Sequence, residues 1–136
     1  MIYTDEMDGI DRWLMTRWMD LRIRKAGADA PFPGDILPRS GLAARDGHGN
    51  TLAVATLYLE REIPVAVCGW CAANPLNNRR QSAEAVKTLL AAIPVYARRC
   101  GAKYLLTTFG QRSLNRMLDR LGFSNGDVAE TKIKVL

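Results

Sequence analysis

Two short stretches hold residue types that could do chemistry. The first is Asn77 to Leu90, NNRRQSAEAVKTLL. Arg79 and Arg80 precede the small residues Ser82, Ala83 and Ala85, and an apolar run follows at helical spacing. Placed directly after a strand, this reads as a basic loop leading into a helix. The first turn of a helix carries unpaired N–H groups and the positive end of the helix dipole. Small side chains let an anion approach there, and guanidinium groups add bidentate donors that match phosphate. The chemistry this pattern suits is the holding of a pyrophosphate. Its plain alternative is a pair of solvated arginines at an ordinary helix start.

The second stretch is Cys68 to Cys71, CGWC. That spacing serves redox pairs and half-sites for zinc. On a strand, however, side chains three apart point to opposite faces. A redox pair normally sits at a helix start, and a zinc site needs further ligands. His48 is the only histidine, and it stands in the turn DGHGN, where it faces solvent. The expectation is therefore buried structural cysteines and no metal. Trp70 is expected on the same face as Cys68, where it lines an acceptor pocket or, as favoured, packs under a helix.

Elements must position these residues. Asp8 to Ala26 reads as a helix, with Ile10, Trp13, Leu14, Trp18 and Leu21 on one apolar face. Pro31, Pro33 and Pro38 make the next stretch a loop. Leu42 to Arg45 and Thr51 to Glu60 flank the turn Asp46 to Asn50 and form a hairpin. Val65 to Ala73 is an apolar strand that reads as buried on both faces. Ser82 to Cys100 is a helix with Val86, Leu89, Leu90, Ile93, Val95 and Tyr96 inward, and Pro94 is expected to kink it. Lys103 to Phe109 is a strand. Gln111 to Leu121 is a helix that turns Leu114, Met117, Leu118 and Leu121 inward, and Glu130 to Leu136 is a terminal strand. This order predicts an α/β (α+β) fold. It has a mixed, mostly antiparallel twisted sheet, a central parallel β-α-β pair and helices on both faces.

The chain has 136 residues, 48% hydrophobic and 24% charged, which suits one soluble domain over residues 1–136. No apolar run reaches the roughly 20 residues of a membrane span. The acidic start MIYTDEMDGID does not read as a secretory leader. Three cysteines, an odd number, suit a reducing, cytoplasmic setting. The net charge of +5 suits an anionic partner. Nucleic acid is not expected, because there is no aromatic-rich strand face or DNA-reading motif. Most arginines, Arg12, Arg17 and Arg22 among them, are expected on solvated helix faces.

The run of strand, loop, Arg80-x-x-Ala83-x-Ala85, long helix, strand, helix and Leu121-Gly122-Phe123 resembles the GNAT superfamily of acetyl-CoA-dependent N-acyltransferases. The resemblance covers about Gly41 to Leu136. It implies a cofactor-binding core over residues 41–136 and a shortened acceptor-side region over residues 1–40, with Ile2 to Thr4 as the first strand. It implies acetyl transfer from acetyl-CoA to an amine by direct attack. The pantetheine arm would pair beside Cys71, Ala72 and Ala73. The pyrophosphate would lie on Arg79, Arg80, Gln81, Ser82, Ala83, Glu84 and Ala85, and Gln111 would open the later helix where the family has asparagine. A backbone N–H near Gly69 to Cys71 would polarise the thioester carbonyl. Ala83 stands where the family has its first glycine, and Leu118 falls near the position of a tyrosine that protonates the leaving thiolate. No catalytic residue is assigned, since no Asp or Glu lies within Val65 to Ala73 and Glu60 and Glu62 border the far turn. Two readings follow: an active enzyme on an amine-bearing small molecule or protein, or an inactive relative with a binding or structural role. An open acceptor side leaves room for a second subunit, as in a homodimer, or for a protein partner.

Overall fold

The computed structural model describes residues 1–126, 134 and 136. The expected terminal strand at Glu130 to Leu136 falls for its greater part outside them. The elements run β1 (Tyr3–Glu6), α1 (Gly9–Lys25), β2 (Gly41–Arg45), β3 (Thr51–Leu59), β4 (Val65–Ala73), α2 (Arg79–Arg99), β5 (Tyr104–Thr107) and α3 (Arg112–Arg120). The five strands form one sheet in the order β1-β2-β3-β4-β5. All neighbours are antiparallel except β4 and β5, which are parallel from Val65↔Tyr104 to Cys68↔Thr107. The long α2 crossover makes this parallel pair possible.

One irregularity governs the rest. Along β3 and β4 the register runs Thr56↔Trp70 and then Tyr58↔Val67. Cys68 and Gly69 therefore stand together opposite Leu57, a β-bulge. Past this point the side-chain alternation of β4 is reversed relative to a regular strand. Cys68 and Cys71 consequently share one face, buried with Leu89, Leu90 and Ile93 of α2 and Leu114 and Leu118 of α3. Trp70 lies on the other face, among Met15, Trp18 and Phe32. Both expectations for CGWC, opposed cysteines and Trp70 beside Cys68, are corrected by that single inserted residue.

Helices cover both faces. α2 carries a capping box: the Asn78 side chain accepts from Gln81 N–H and Gln81 reaches back to Asn78 N–H. It runs unbroken through Pro94 and buries Ala85, Val86, Leu89, Leu90, Ile93 and Ala97. Each large side chain there contributes about 1.5–3 kcal/mol of burial. Val95 is half exposed rather than inward. α1, capped by Asp8 and Asp11, covers the opposite face with Asp11, Met15, Trp18 and Met19. Its expected face is rotated: Ile10, Trp13 and Leu21 are exposed, and Arg17 lies over the Trp13 ring at 5.0 Å. The true inward face begins with an aspartate, so a purely apolar template misses it.

Asp11 is only 1% exposed. Arg45 donates to both its oxygens, Nη1 at 3.0 Å and Nη2 at 2.8 Å, and Thr51 Oγ1 donates at 2.8 Å. Burial alone would raise the Asp11 pKa. Hydrogen bonds from Arg45, the Asp8 N–H and Thr51 outweigh it and hold the carboxyl below its ordinary range. This network ties the start of α1 to the ends of β2 and β3. The proline-rich loop is pinned to the same helix. Arg12 donates to the Leu37 and Gly34 carbonyls, and Asp20 accepts from Phe32 N–H. Arg12 is thus a structural clamp and not a solvated charge.

Candidate functional site

The site begins where the parallel pairing ends. β5 stops at Thr107, and Thr108 N–H reaches the Cys68 carbonyl at 3.4 Å. From Gly69 to Ala73, β4 has no strand partner on that side among the described residues. Asn74 N–H donates to the Leu52 carbonyl at 2.8 Å. By the alternation of an antiparallel ladder, Ala72 and Trp70 therefore turn their N–H and C=O groups to β3. Cys71 and Ala73 turn theirs to the open side. Of the three strand residues expected at the cofactor, Cys71 and Ala73 face the gap and Ala72 does not. The Ala72 methyl is buried under α1.

The gap opens toward the N-termini of α2 and α3, which follow the carboxyl ends of β4 and β5. Here the expected loop is corrected. α2 starts at Arg79 rather than Ser82, because Asn78 and Gln81 cap it early. Leu76 N–H and Asn77 N–H are bonded to Asn74, Gln81 N–H to Asn78 Oδ1, and Ser82 N–H to the Asn78 carbonyl. Only the Arg79 and Arg80 N–H groups remain for an anion between Leu76 and Ser82. Ala83, Glu84 and Ala85 lie inside the helix, where their N–H groups belong to the backbone ladder. The Ala83 methyl thus stands beyond the first turn, and Ala85 is buried in the core. The Arg80 guanidinium pairs with Glu84 at 3.2 Å, while Arg79 makes no ion pair among the described residues. Gln111 is the exposed N-cap residue of α3, and its side chain caps nothing.

Beside the bulge lies a cleft of about 260 Å³ on the α1 face. Thr56 and Tyr58 of β3, Gly69 and Trp70 of β4, and Thr108 line it, with Ile36 and Pro38 as its wall. Trp70 is held edge-on by Phe32, with centroids 5.4 Å apart at 80°. Gly69 keeps the floor open: a Cβ built there would lie 3.3 Å from Thr108 Oγ1. None of the lining residues is acidic or a histidine. Glu60 and Glu62 sit at the turn before β4, at the opposite end of that strand. Leu118 is buried in the α2-side core and brings no hydroxyl to the gap. Both strand cysteines are deeply buried. Burial pushes the Cys71 thiol up to about 12 and the Cys68 thiol higher still, so neither is a thiolate nucleophile. Among the described residues no group of histidine, cysteine and acidic side chains could hold a metal ion. No described helix is long and apolar enough to cross a membrane.

Sequence reasoning missed Arg22. It leaves α1 one turn after Trp18 and donates from Nη2 to the Cys71 carbonyl at 3.0 Å, in the gap itself. Burial lowers its pKa, partly offset by the Cys71 thiol. The signal was present: Asp11, Met15, Trp18 and Arg22 share the α1 stripe that faces the sheet.

No family model and no curated protein sequence matches the chain. Solved structures do. A ribosomal-protein-alanine N-acetyltransferase from Brucella melitensis biovar Abortus 2308 is 15% identical and superposes with a TM-score of 0.68, covering 98% of this chain and 99% of that one. An aminoglycoside acetyltransferase from an uncultured soil metagenomic sample, in complex with sisomicin, is 12% identical, TM-score 0.66, with 99% and 97% covered. A GNAT family acetyltransferase from Brucella melitensis, in complex with acetyl-CoA, is 14% identical, TM-score 0.64, with 92% and 84% covered. The mixed sheet, its splayed parallel pair and the flanking helices thus give this chain the fold of the GNAT acetyltransferases.

Proposed function

We propose that the chain is an N-acetyltransferase of the GNAT superfamily that moves an acetyl group from acetyl-CoA to an amine. The observation that carries this reading is the unpaired edge of β4 directly beside its bulge. The Cys71 N–H and the Ala73 N–H and C=O groups there can pair with the amides of a pantetheine arm as a missing strand would, while the Cys71 carbonyl is held by Arg22. Arg79 and Arg80 stand at the mouth to hold the pyrophosphate with their free N–H groups, Arg79 with its side chain as well, while the Arg80 guanidinium pairs with Glu84. This fits the extended shape and the terminal charge of coenzyme A.

When bound, acetyl-CoA supplies the activated acetyl group: a nitrogen–carbon bond forms at the acetyl carbon, the carbon–sulfur bond breaks, and the amine's proton leaves as the thiolate departs. The chain's own contributions are binding and orientation. The backbone around the bulge presents hydrogen-bond donors, and the cleft at Tyr58, Trp70 and Thr108 holds the amine. Among the described residues no carboxylate or imidazole lines that cleft, and water there can take the proton of the amine. Leu118 leaves thiolate protonation to solvent.

Calorimetry with acetyl-CoA, followed by thiol release with a panel of amines, tests this reading. Micromolar binding with amine-dependent thiol release supports it. Binding without release on any amine supports the second reading, an inactive relative with a binding role, which the buried Leu118 favours. Absence of binding at millimolar cofactor removes both.

A further inference from the structure

We propose that Arg22 selects the acceptor, and that the amine acetylated by this chain carries an anionic group, such as a carboxylate, at its far end. This rests on the acyl-transfer reading above and names the substrate class of that same site.

The inference starts from an unbalanced charge. Arg22 is half-buried, reaches over the sheet from α1, and makes no ion pair with any described carboxylate. Its one recorded acceptor is the Cys71 carbonyl at 3.0 Å. A guanidinium has five donor hydrogens, so most of its capacity is unused. The other arginines that α1 directs inward or along itself are employed: Arg12 on two loop carbonyls and Arg24 on Asp20. Placing an uncompensated cation against a sheet edge carries a desolvation cost unless something meets it.

Its position says what would meet it. Cys71 follows Trp70, which lines the acceptor cleft, and its carbonyl faces the gap. The guanidinium therefore stands at the gap one residue beyond Trp70; it does not itself line the cleft, so only the far end of an acceptor that extends past Trp70 would meet it. The cleft offers hydroxyls from Thr56, Tyr58 and Thr108 and the Trp70 ring, but no negative charge among the described residues. An amine with several positive charges would find no counter-charge there and would meet Arg22 as a like charge. An amine whose far end is a carboxylate would find a planar fork that matches it bidentately. Arg22 forms no bond in the transfer; it orients the acceptor.

Three amines of one length separate the possibilities: 4-aminobutanoate, 4-aminobutanamide and 1,4-diaminobutane. Their far ends are anionic, neutral and cationic. With acetyl-CoA and full-length protein, kcat/KM should favour the carboxylate over the amide about tenfold, with the diamine poorest. Arg22→Met should level the carboxylate and the amide, mainly through KM, while Arg22→Lys keeps part of the preference. Circular dichroism and acetyl-CoA calorimetry on each variant report fold and cofactor site separately. A second readout needs no turnover: the Trp70 indole N–H resonance, assigned with Trp70→Phe, should shift with 4-aminobutanoate in the wild type and not in folded Arg22→Met. A best rate with the diamine, an unchanged preference in Arg22→Met, or no indole shift with the carboxylate would each overturn the inference. If acetyl-CoA fails to bind, the acyl-transfer reading falls, and the indole shift alone then decides whether Arg22 reads an anionic amine.

Discussion

Two neighbouring alanines on β4 give opposite expectations for proline. Ala72 turns its N–H into the β3 ladder, opposite Val54, and its methyl is buried. Ala72→Pro removes that donor and orphans the Val54 carbonyl, which costs about 1–3 kcal/mol before any ring clash is counted. At about 4 °C per kcal/mol for a domain of this size, Tm should fall by several degrees or the protein should not fold. Ala73 turns its N–H to the gap, where proline is tolerated as on any sheet edge. Ala73→Pro should change stability within about 0.5 kcal/mol, or roughly 2 °C. It deletes one donor from the edge that would pair with pantetheine. A single hydrogen bond contributes about 0.5–1.5 kcal/mol, so the acetyl-CoA Kd should rise about two- to twelvefold. Thermal unfolding and calorimetry on both variants are the assay. Equal destabilisation by the two prolines would refute the register. A well-folded Ala73→Pro that binds like wild type would refute the gap as the cofactor's edge.

Other expectations follow from the same contacts. Arg79→Ala should weaken acetyl-CoA by roughly fivefold, about 1 kcal/mol, and Arg80→Ala by less, since Glu84 already competes for that side chain; calorimetry that ranks Arg80 first would contradict the free-arginine assignment. Asp11→Ala removes the bidentate acceptor of a guanidinium that is 12% exposed but leaves it Asp5 at 3.1 Å, and should destabilise by about 1.5–3 kcal/mol in denaturant unfolding. Because the folded Asp11 pKa is depressed, its stabilisation is complete above the unfolded value near 3.9 and fades as pH falls through the lower folded value; acid unfolding curves of wild type and Asp11→Asn should therefore converge below about pH 4, and parallel curves would refute the linkage. With an alkylating reagent at neutral pH, native protein should gain one adduct, at the exposed Cys100, and unfolded protein three; early modification of Cys68 or Cys71 would refute their burial. Gly41→Ala would drive a Cβ into the Ala55 carbonyl oxygen and should lower Tm by several degrees.

Period and punctuation carried most of the fold. The alternation of Thr51 to Leu59, the apolar run Val65 to Ala73 and the three- and four-residue spacing of α2 each locate an element within a few residues. They fail where polar residues do structural work. Asn78 and Gln81 form a reciprocal cap, and that box, legible as N-x-x-Q, moves the helix start from Ser82 to Arg79 and draws Ser82, Ala83 and Glu84 out of any loop. α1 was harder. Its inward stripe contains Asp11 and Arg22, and no scale that scores burial by hydrophobicity would choose that face over one holding Ile10 and Trp13. Only Arg45, thirty-four residues away, makes Asp11 an interior residue. Such pairings are settled by tertiary contact, which a single sequence does not display.

The bulge at Cys68 and Gly69 is the clearest case of local sequence deciding distant chemistry. A regular β4 would put Cys71 on the α1 face and Trp70 against α2. One extra residue reverses both, so Trp70 lines the cleft beside the bulge and the Cys71 sulfur goes into the core. It also ends the regular register at the level where β5 stops pairing, which leaves the Cys71 N–H and the Ala73 backbone groups without a strand partner among the described residues, while the Cys71 carbonyl accepts from Arg22. Glycine suits this place because a side chain there would crowd Thr108 and fill the cleft floor. The C-x-x-C spacing is therefore a consequence of how a bulged strand fills one core, and the chemistry of the stretch lies in its backbone rather than in its sulfurs.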